Sequence, residues 1–243
     1  MMKKVIVIPA RMQSKRLPGK PLIDIMGKTV LQRTWERCRQ VFNPENIFVA
    51  TDHKKIAEHC DKTGMNVIMT SSACLTGTDR VAEFAEKVDA DIYINVQGDE
   101  PLINPGDIQA VSEACDAYPG EILNGYAGVS DEQRYRSRTI PKVVLRPDGR
   151  LLYMSRSPIP GNKQDEFRKA WRQICIYAFT KNALRAFSAR KEKTELENLE
   201  DIEILRFLEL GYDVRMIELS ADSVSVDTPE DVRKVKEILA NET

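Results

Sequence analysis

Four apolar runs in the first half of the chain limit its fold more than anything else in the sequence. KKVIVIPA (3–10), NIFVAT (46–51), NVIMT (66–70) and ADIYINV (90–96) are rich in β-branched residues and close to continuous, the pattern of strands buried on both faces. Segments with helical spacing follow them. VLQRTWERCRQV (30–41) repeats apolar residues at Val30, Leu31, Trp35, Cys38 and Val41, HKKIAEHCDKTG runs to Gly64, TGTDRVAEFAEKV (76–88) has Thr78 as its expected N-cap, and PGDIQAVSEACDAY covers 105–118. Strand and helix in this alternation predict βαβ units: an α/β fold with a mostly parallel sheet and helices on both faces.

The second half changes character. PKVVLRPDGRLLYMS (141–155) predicts two strands around the turn RPDGR, and RQICIYAFT (172–180) a further strand. NLEDIEILRFLELGY (198–212) predicts one helix burying Leu199, Ile202, Leu205, Phe207 and Leu208, and YDVRMIEL (212–219) a late strand. VDTPED starts a last helix, with Thr228 as N-cap, Pro229 at the first position and Asp231 at the third. The expected organisation is a single domain over 1–243, with a β-rich insertion over 141–179 that could serve dimerisation or the substrate.

A length of 243 residues with 42% apolar composition suits one globular unit. The formal charge of -1 argues against a general nucleic-acid binder, so any charge used for binding must be local. No segment reads as a signal or a membrane span. The five cysteines include no C-x-x-C pair, which predicts neither a disulfide framework nor structural zinc and points to a reducing cytoplasm. His53 and His59, the only histidines, are six apart and do not share a helix face.

Ligands in open parallel sheets bind beyond the carboxyl ends of the strands. After the first strand comes RMQSKRLPGK, with Arg11, Lys15, Arg16 and Lys20 as cations and Gly19 free to approach a ligand closely. It reads as an anion-binding loop or as a solvated basic loop, and it matches neither the P-loop nor the dinucleotide glycine pattern. After the strand at 91–96 comes QGDEP, bringing Asp99 and Glu100 to the same edge, and the late VSVDTPED brings Asp227. Two carboxylates meeting beside a phosphate loop would suit Mg²⁺; a turn residue at Asp99 and a helix cap at Asp227 are the alternatives. At 76–80, TGTDR offers helix N-terminal N–H groups and Arg80 to an anion or a base edge, or is a plain cap. Asp89 and Asp91 form a D-x-D pair, but they precede their strand and so fall at the wrong end of the sheet.

Taken together, IPARMQSKRLPGKPL, VATD, TGTDR, NVQGDEPLI, KVVL…G…LYMSRSPIP and VDTPED resemble the CMP-Kdo synthetases (3-deoxy-manno-octulosonate cytidylyltransferases) across nearly the whole chain. The resemblance implies a nucleotide-diphospho-sugar transferase fold, usually homodimeric, that joins CTP to the sugar acid Kdo, releases pyrophosphate and feeds lipopolysaccharide or capsule assembly. It implies that Arg11 and Lys20 hold the CTP phosphates with help from Arg16. Pro9, Ala10, Thr76, Arg80 and Gln97 would line the nucleotide pocket, and Asp99 and Asp227 would hold Mg²⁺. Arg156 would face the sugar carboxylate, with Tyr177, Glu200 and Glu203 at the sugar. The departures fall on the sugar side: Gln173 stands for a histidine, Cys175 for a glycine, Gly161 for a tryptophan and Ile204 for a glutamine. The acceptor is therefore expected to be Kdo or a related acid such as amino-Kdo. A sensor that binds CTP without turnover is the reading from a different class.

Overall fold

The computed structural model describes residues 2–14 and 16–241. Strand β1 (Lys4–Ala10) is the axis of the molecule. Its alternate residues feed two cores, Val5 and Val7 on one face and Ile6 and Ile8 on the other, all fully buried. β1 pairs in parallel with β4 (Ile47–Thr51) on one side and β6 (Ile92–Val96) on the other, and β4 pairs in parallel with β5 (Asn66–Met69). The small ladder β2 (Asp24–Ile25) and β3 (Lys28–Thr29) leads into helix α1 (Val30–Arg39). Thr29 caps α1, and helix α2 (Lys54–Thr63) stops at Gly64, which takes the left-handed conformation that glycine permits.

Helix α3 (Gly77–Ala85) is capped two residues before the expected position. Thr76, not Thr78, is the N-cap, because Asp79 returns its carboxylate to Thr76 in a capping box. Helix α4 (Pro105–Ala117), strand β7 (Ile122–Gly128) and helix α5 (Glu132–Arg136) follow, then β8 (Lys142–Leu145), β9 (Leu151–Ser155) and β10 (Trp171–Thr180). Residues 141–179, expected as a β-rich insertion, thus contribute three strands, of which only β8 and β9 project as a hairpin. The ten-residue β10 lies within the main sheet, antiparallel between β6 and β7, because its residues are apolar on both faces.

Helix α6 (Lys181–Ser188) packs on α3. The single helix expected after it is two short ones, α7 (Glu195–Glu200) and α8 (Leu205–Glu209). The chain breaks at Asp201, whose φ of 51° is left-handed. On either side of that break, Glu200 reaches back to β9 while Glu203 reaches forward to α3. Strand β11 (Val214–Glu218) pairs in parallel with β7, and helix α9 (Pro229–Asn241) closes the described chain. The sheet order is β11-β7-β10-β6-β1-β4-β5, with β8 and β9 attached at β10. Helices α1, α2 and α4 cover one face and α3, α6 and α8 the other. Among the described residues no helix is long and apolar enough to cross a membrane.

Candidate active site

The chain runs from β1 to β4 and β5 on one side of the sheet, then returns to place β6 on the other side of β1. The carboxyl ends of β1 and β6 therefore form a topological switch point, where a crevice must open. A cleft of about 1000 Å³ lies there, reached by Pro9, Ala10, Arg11, Gln97 and Asp99. Gly98 lets the two strand ends come together, since a Cβ there would lie 2.8 Å from the Pro9 carbonyl oxygen. Across the cleft, Gly77 packs on the Gln97 amide, which a Cβ would meet at 3.0 Å.

The basic loop folds back on itself. Gly19, with φ 73°, donates to the Met12 carbonyl and turns the chain into a short 3-10 segment, Lys20–Leu22. This aims Lys20 at both acidic positions. Its Nζ donates to Asp99 Oδ2 and, at 3.0 Å, to Asp227 Oδ1, which also receives Arg16 at 3.0 Å. Burial alone would lower the Lys20 ammonium, but Asp99 and Asp227 outweigh it and hold its pKa above the ordinary value. The Val226 N–H donates to the Asp99 carbonyl at 2.8 Å, so the C-terminal segment is fastened to the β6 turn through backbone as well. A small third core joins Leu17, Leu102, Val226 and Val235 beneath these contacts. Arg11 lies exposed at the cleft, and Lys15 falls outside the described residues.

Asp99 and Asp227 thus converge on one cationic point. A pair of carboxylates offering only oxygen is the donor set a hard ion such as Mg²⁺ accepts, with water and phosphate oxygens completing the shell. The described residues contain no cluster of three or more His, Cys, Asp or Glu side chains arranged around a metal, so a metal here would depend on its substrate for further ligands. Glu100 is buried beside Asp99 and accepts from the Ser223 hydroxyl; burial, then the Asp99 charge, pushes its carboxyl up to about 8.

At α3, Thr76, Gly77 and Arg80 line the cleft. The N–H groups of Gly77 and Thr78 do not await an external anion, because Glu203 accepts both, at 3.1 and 2.8 Å, and the Thr78 hydroxyl as well. Arg80 bonds Thr70 and pairs with Asp52 at 3.3 Å. On the sheet side, Gln173 donates to Asn124 at 2.9 Å and to the Tyr177 hydroxyl at 3.2 Å, across a bulge in β10. Burial, reinforced by Cys175 and Glu203, holds the Tyr177 phenol well above its ordinary pKa. Glu203, Gln173, Tyr177 and Arg156 all line the cleft. Glu200 does not; the end of β9 engages its carboxylate through the Ser155 hydroxyl and the Arg156 N–H. The Arg156 guanidinium donates to the carbonyls of Glu200, Asp201 and Arg138. Arg172 and Lys193 also reach the cleft, and neither was expected there. Arg172 sits beside Gln173 in RQICIY, so the same strand signal contained it.

A switch-point cleft carrying a cationic loop and two converging carboxylates, on this sheet, is that of a nucleotidyltransferase. Residues 5–217 match the family described as cytidylyltransferase, and the chain belongs to that family. The 3-deoxy-manno-octulosonate cytidylyltransferase of Escherichia coli is 38% identical to it over 100% of this chain and 98% of the relative. The 8-amino-3,8-dideoxy-manno-octulosonate cytidylyltransferase of Shewanella halifaxensis is 36% identical over 96% of each. A solved structure of CMP:2-keto-3-deoxy-manno-octonic acid synthetase complexed with CTP superposes with a TM-score of 0.91 at 37% identity, covering 99% of this chain and 100% of the other. The resemblance read from the sequence and these comparisons point to the same family.

Proposed function

We propose that this protein transfers the cytidylyl group of CTP to the anomeric hydroxyl of a 3-deoxy-2-ulosonic acid, Kdo or its 8-amino relative, and releases pyrophosphate. The observation that carries the reading is the meeting of Lys20, Asp99 and Asp227 at the switch-point cleft of a cytidylyltransferase-family chain. In the reaction the acceptor oxygen bonds to the α-phosphorus, its proton leaves, and the bond from the α-phosphorus to the pyrophosphate oxygen breaks. Such transfers depend on positioning and charge stabilisation more than on covalent help from the protein. Arg11 and Arg16 receive the triphosphate, and Lys20 steadies the charge on the α-phosphate and the leaving group. Pro9, Ala10, Thr76, Arg80 and Gln97 enclose the nucleoside, and Gln173, Tyr177 and Glu203 face the acceptor.

Mg²⁺ held by Asp99 and Asp227 would supply Lewis-acid stabilisation of the phosphate oxygens and lower the pKa of a bound hydroxyl. No side-chain base is assigned. Association of two copies is part of the proposal, supported by Leu152 on β9 and Leu196 and Leu199 on α7, which stand exposed; sedimentation tests it. A cytoplasmic setting and a place in lipopolysaccharide or capsule assembly belong to the same reading.

The test is pyrophosphate release from CTP and Mg²⁺ with Kdo, 8-amino-Kdo and related ulosonic acids offered separately. Release with one of them is the expected result. Tight CTP binding with no release from any acid would overturn it in favour of a CTP sensor.

A further inference from the structure

Asp201 ends helix α7, and it is an unusual residue for that place. Its φ of 51° is the left-handed conformation in which helices usually close on glycine or asparagine. A carboxylate at the carboxyl end of a helix also opposes the helix dipole. Local structure therefore favours a neutral residue, and the chain carries a charge instead.

That charge lies at the cleft, which Asp201 lines together with Arg11, Arg156 and Lys193. Lys193, from the loop before α7, pairs with Asp201 Oδ1 at 2.6 Å. Arg156 holds the main chain of Asp201, its guanidinium donating to the carbonyl at 2.9 Å. Arg11 makes no ion pair among the described residues, yet it lies near enough for its charge to act on Asp201. The Lys193 contact first, then the charges of Lys193, Arg156 and Arg11, hold the Asp201 carboxyl below the ordinary aspartate value, against partial desolvation.

The other ion pairs of the cleft are closed. Lys20, its side chain 13% exposed, is gripped by Asp99 and Asp227 together, and Arg80, 4% exposed, is paired with Asp52. In the Lys193 pair the carboxylate is 74% exposed, and a pair so open to water is weakly held.

We propose that Asp201 is a resident counter-anion at the cleft, holding Lys193 and drawing Arg11 until a triphosphate displaces it, and that Lys193 then turns onto the phosphate oxygens. The proposal rests on the function argued above, which brings CTP to this cleft. A triphosphate sets several negative charges against the single one of Asp201, so it wins the shared cations when it arrives. Lysine suits the exchange, because its flexible stem and rotatable donors can pass from one oxygen to another without moving the backbone. The consequence is an affinity for CTP below what these cations would give without Asp201.

The test compares wild type, Asp201→Asn, and Asp201→Asn combined with Lys193→Gln. Each is titrated calorimetrically with CTP, inorganic tripolyphosphate and cytidine, and assayed for pyrophosphate release. Asparagine accepts the left-handed backbone and keeps the carbonyl that Arg156 holds, so only the charge is lost. Asp201→Asn is expected to bind CTP and tripolyphosphate about 3–5-fold more tightly, the scale of one exposed charge interaction, and cytidine as wild type does. Adding Lys193→Gln should remove most of that gain. A pair that only fastens the loop would give a lower unfolding midpoint and no tighter binding. Equal or weaker CTP binding by Asp201→Asn would overturn the proposal, and so would tightening that extends to cytidine. A double variant that keeps the whole gain would overturn the transfer of Lys193. Phosphate-selective tightening without pyrophosphate release by wild type from any acid would overturn the function and leave the displacement standing. Wild-type release with no tightening in Asp201→Asn would do the reverse, and a wild type that binds neither CTP nor tripolyphosphate would overturn both.

Discussion

Gly98 offers the most direct test of how the cleft is built. Its backbone is not left-handed, so the demand for glycine there is one of space. A methyl would stand 2.8 Å from the Pro9 carbonyl oxygen, 3.4 Å from Ile8 Cγ2 and 3.6 Å from Ala10 Cβ. The first contact is with main chain inside a fully buried parallel pair and cannot be relieved by a rotamer change. Gly98→Ala must therefore push the β6 turn away from β1. Overpacking of this kind costs about 1–3 kcal/mol, which for a chain of this size lowers Tm by roughly 2–12 °C. The same displacement moves Asp99 relative to Lys20 and Ala10. A shift of about an ångström at reacting groups reduces turnover on the order of a hundredfold. Thermal unfolding and pyrophosphate release on the purified variant measure both effects. Gly128→Ala is the control, because a methyl there meets nothing within 4 Å. Wild-type Tm and turnover in Gly98→Ala, or an equal fall in Gly128→Ala, would refute the reasoning.

Other outcomes follow from the same structure. Asp99→Asn should lower turnover and shift the magnesium dependence to higher concentration, and a normal magnesium titration would remove Asp99 from the metal pair. Arg206 is fully buried, paired with Glu197 at 2.6 Å and Asp79 at 2.9 Å, with its guanidinium over the Phe187 ring. Arg206→Met leaves two carboxylates uncompensated and should cost about 3–5 kcal/mol in urea unfolding; a loss below about 1 kcal/mol would contradict this. Lys142 is fully buried and donates to the carbonyls of Ser137, Ile140 and Arg156. Burial, then the Arg156 charge, lowers its pKa to about 8 from 10.5. Between those values the unfolded chain binds more protons than the native one, so this site makes stability rise with pH. Wild type should gain up to about 2 kcal/mol over Lys142→Met between about pH 7.5 and about pH 9.5, and parallel pH profiles would count against a charged, desolvated lysine.

Much of this architecture is legible in the chain alone, because burial on both faces leaves continuous apolar runs. Strands β1, β4, β5 and β6 lie where those runs lie, and the cap at Thr228 and stop at Gly64 follow from local chemistry. The convergence of Lys20, Asp99 and Asp227 needed only the rule that strand ends face the ligand. What the chain hides is decided over long range. The helix expected across 198–212 breaks at Asp201, and Glu203 accepts from the first two N–H groups of α3, more than a hundred residues earlier. The cap of α3 is a local exception: Thr76 wins over Thr78 because Asp79, three residues on, closes the capping box. β10 reads as part of a β-rich insertion because its partners, β6 and β7, are not its neighbours in sequence. Arg172 lies within the strand signal RQICIY, but only the folded sheet brings its side chain to the cleft.

The third core has a consequence for how the protein comes into being. Every strand of the main sheet is complete by Glu218, yet Asp227 and the apolar residues that clamp it, Val226 and Val235, come afterwards. A chain growing from its N-terminus can thus finish its scaffold while still lacking half of its carboxylate pair. Helix α9 packs onto Leu17 and Leu102, and the Lys20–Asp227 contact ties the basic loop to the segment that precedes it. Under the function proposed above, a molecule clipped before Val226 would keep every strand of the main sheet and lack Asp227, and it should bind CTP without releasing pyrophosphate.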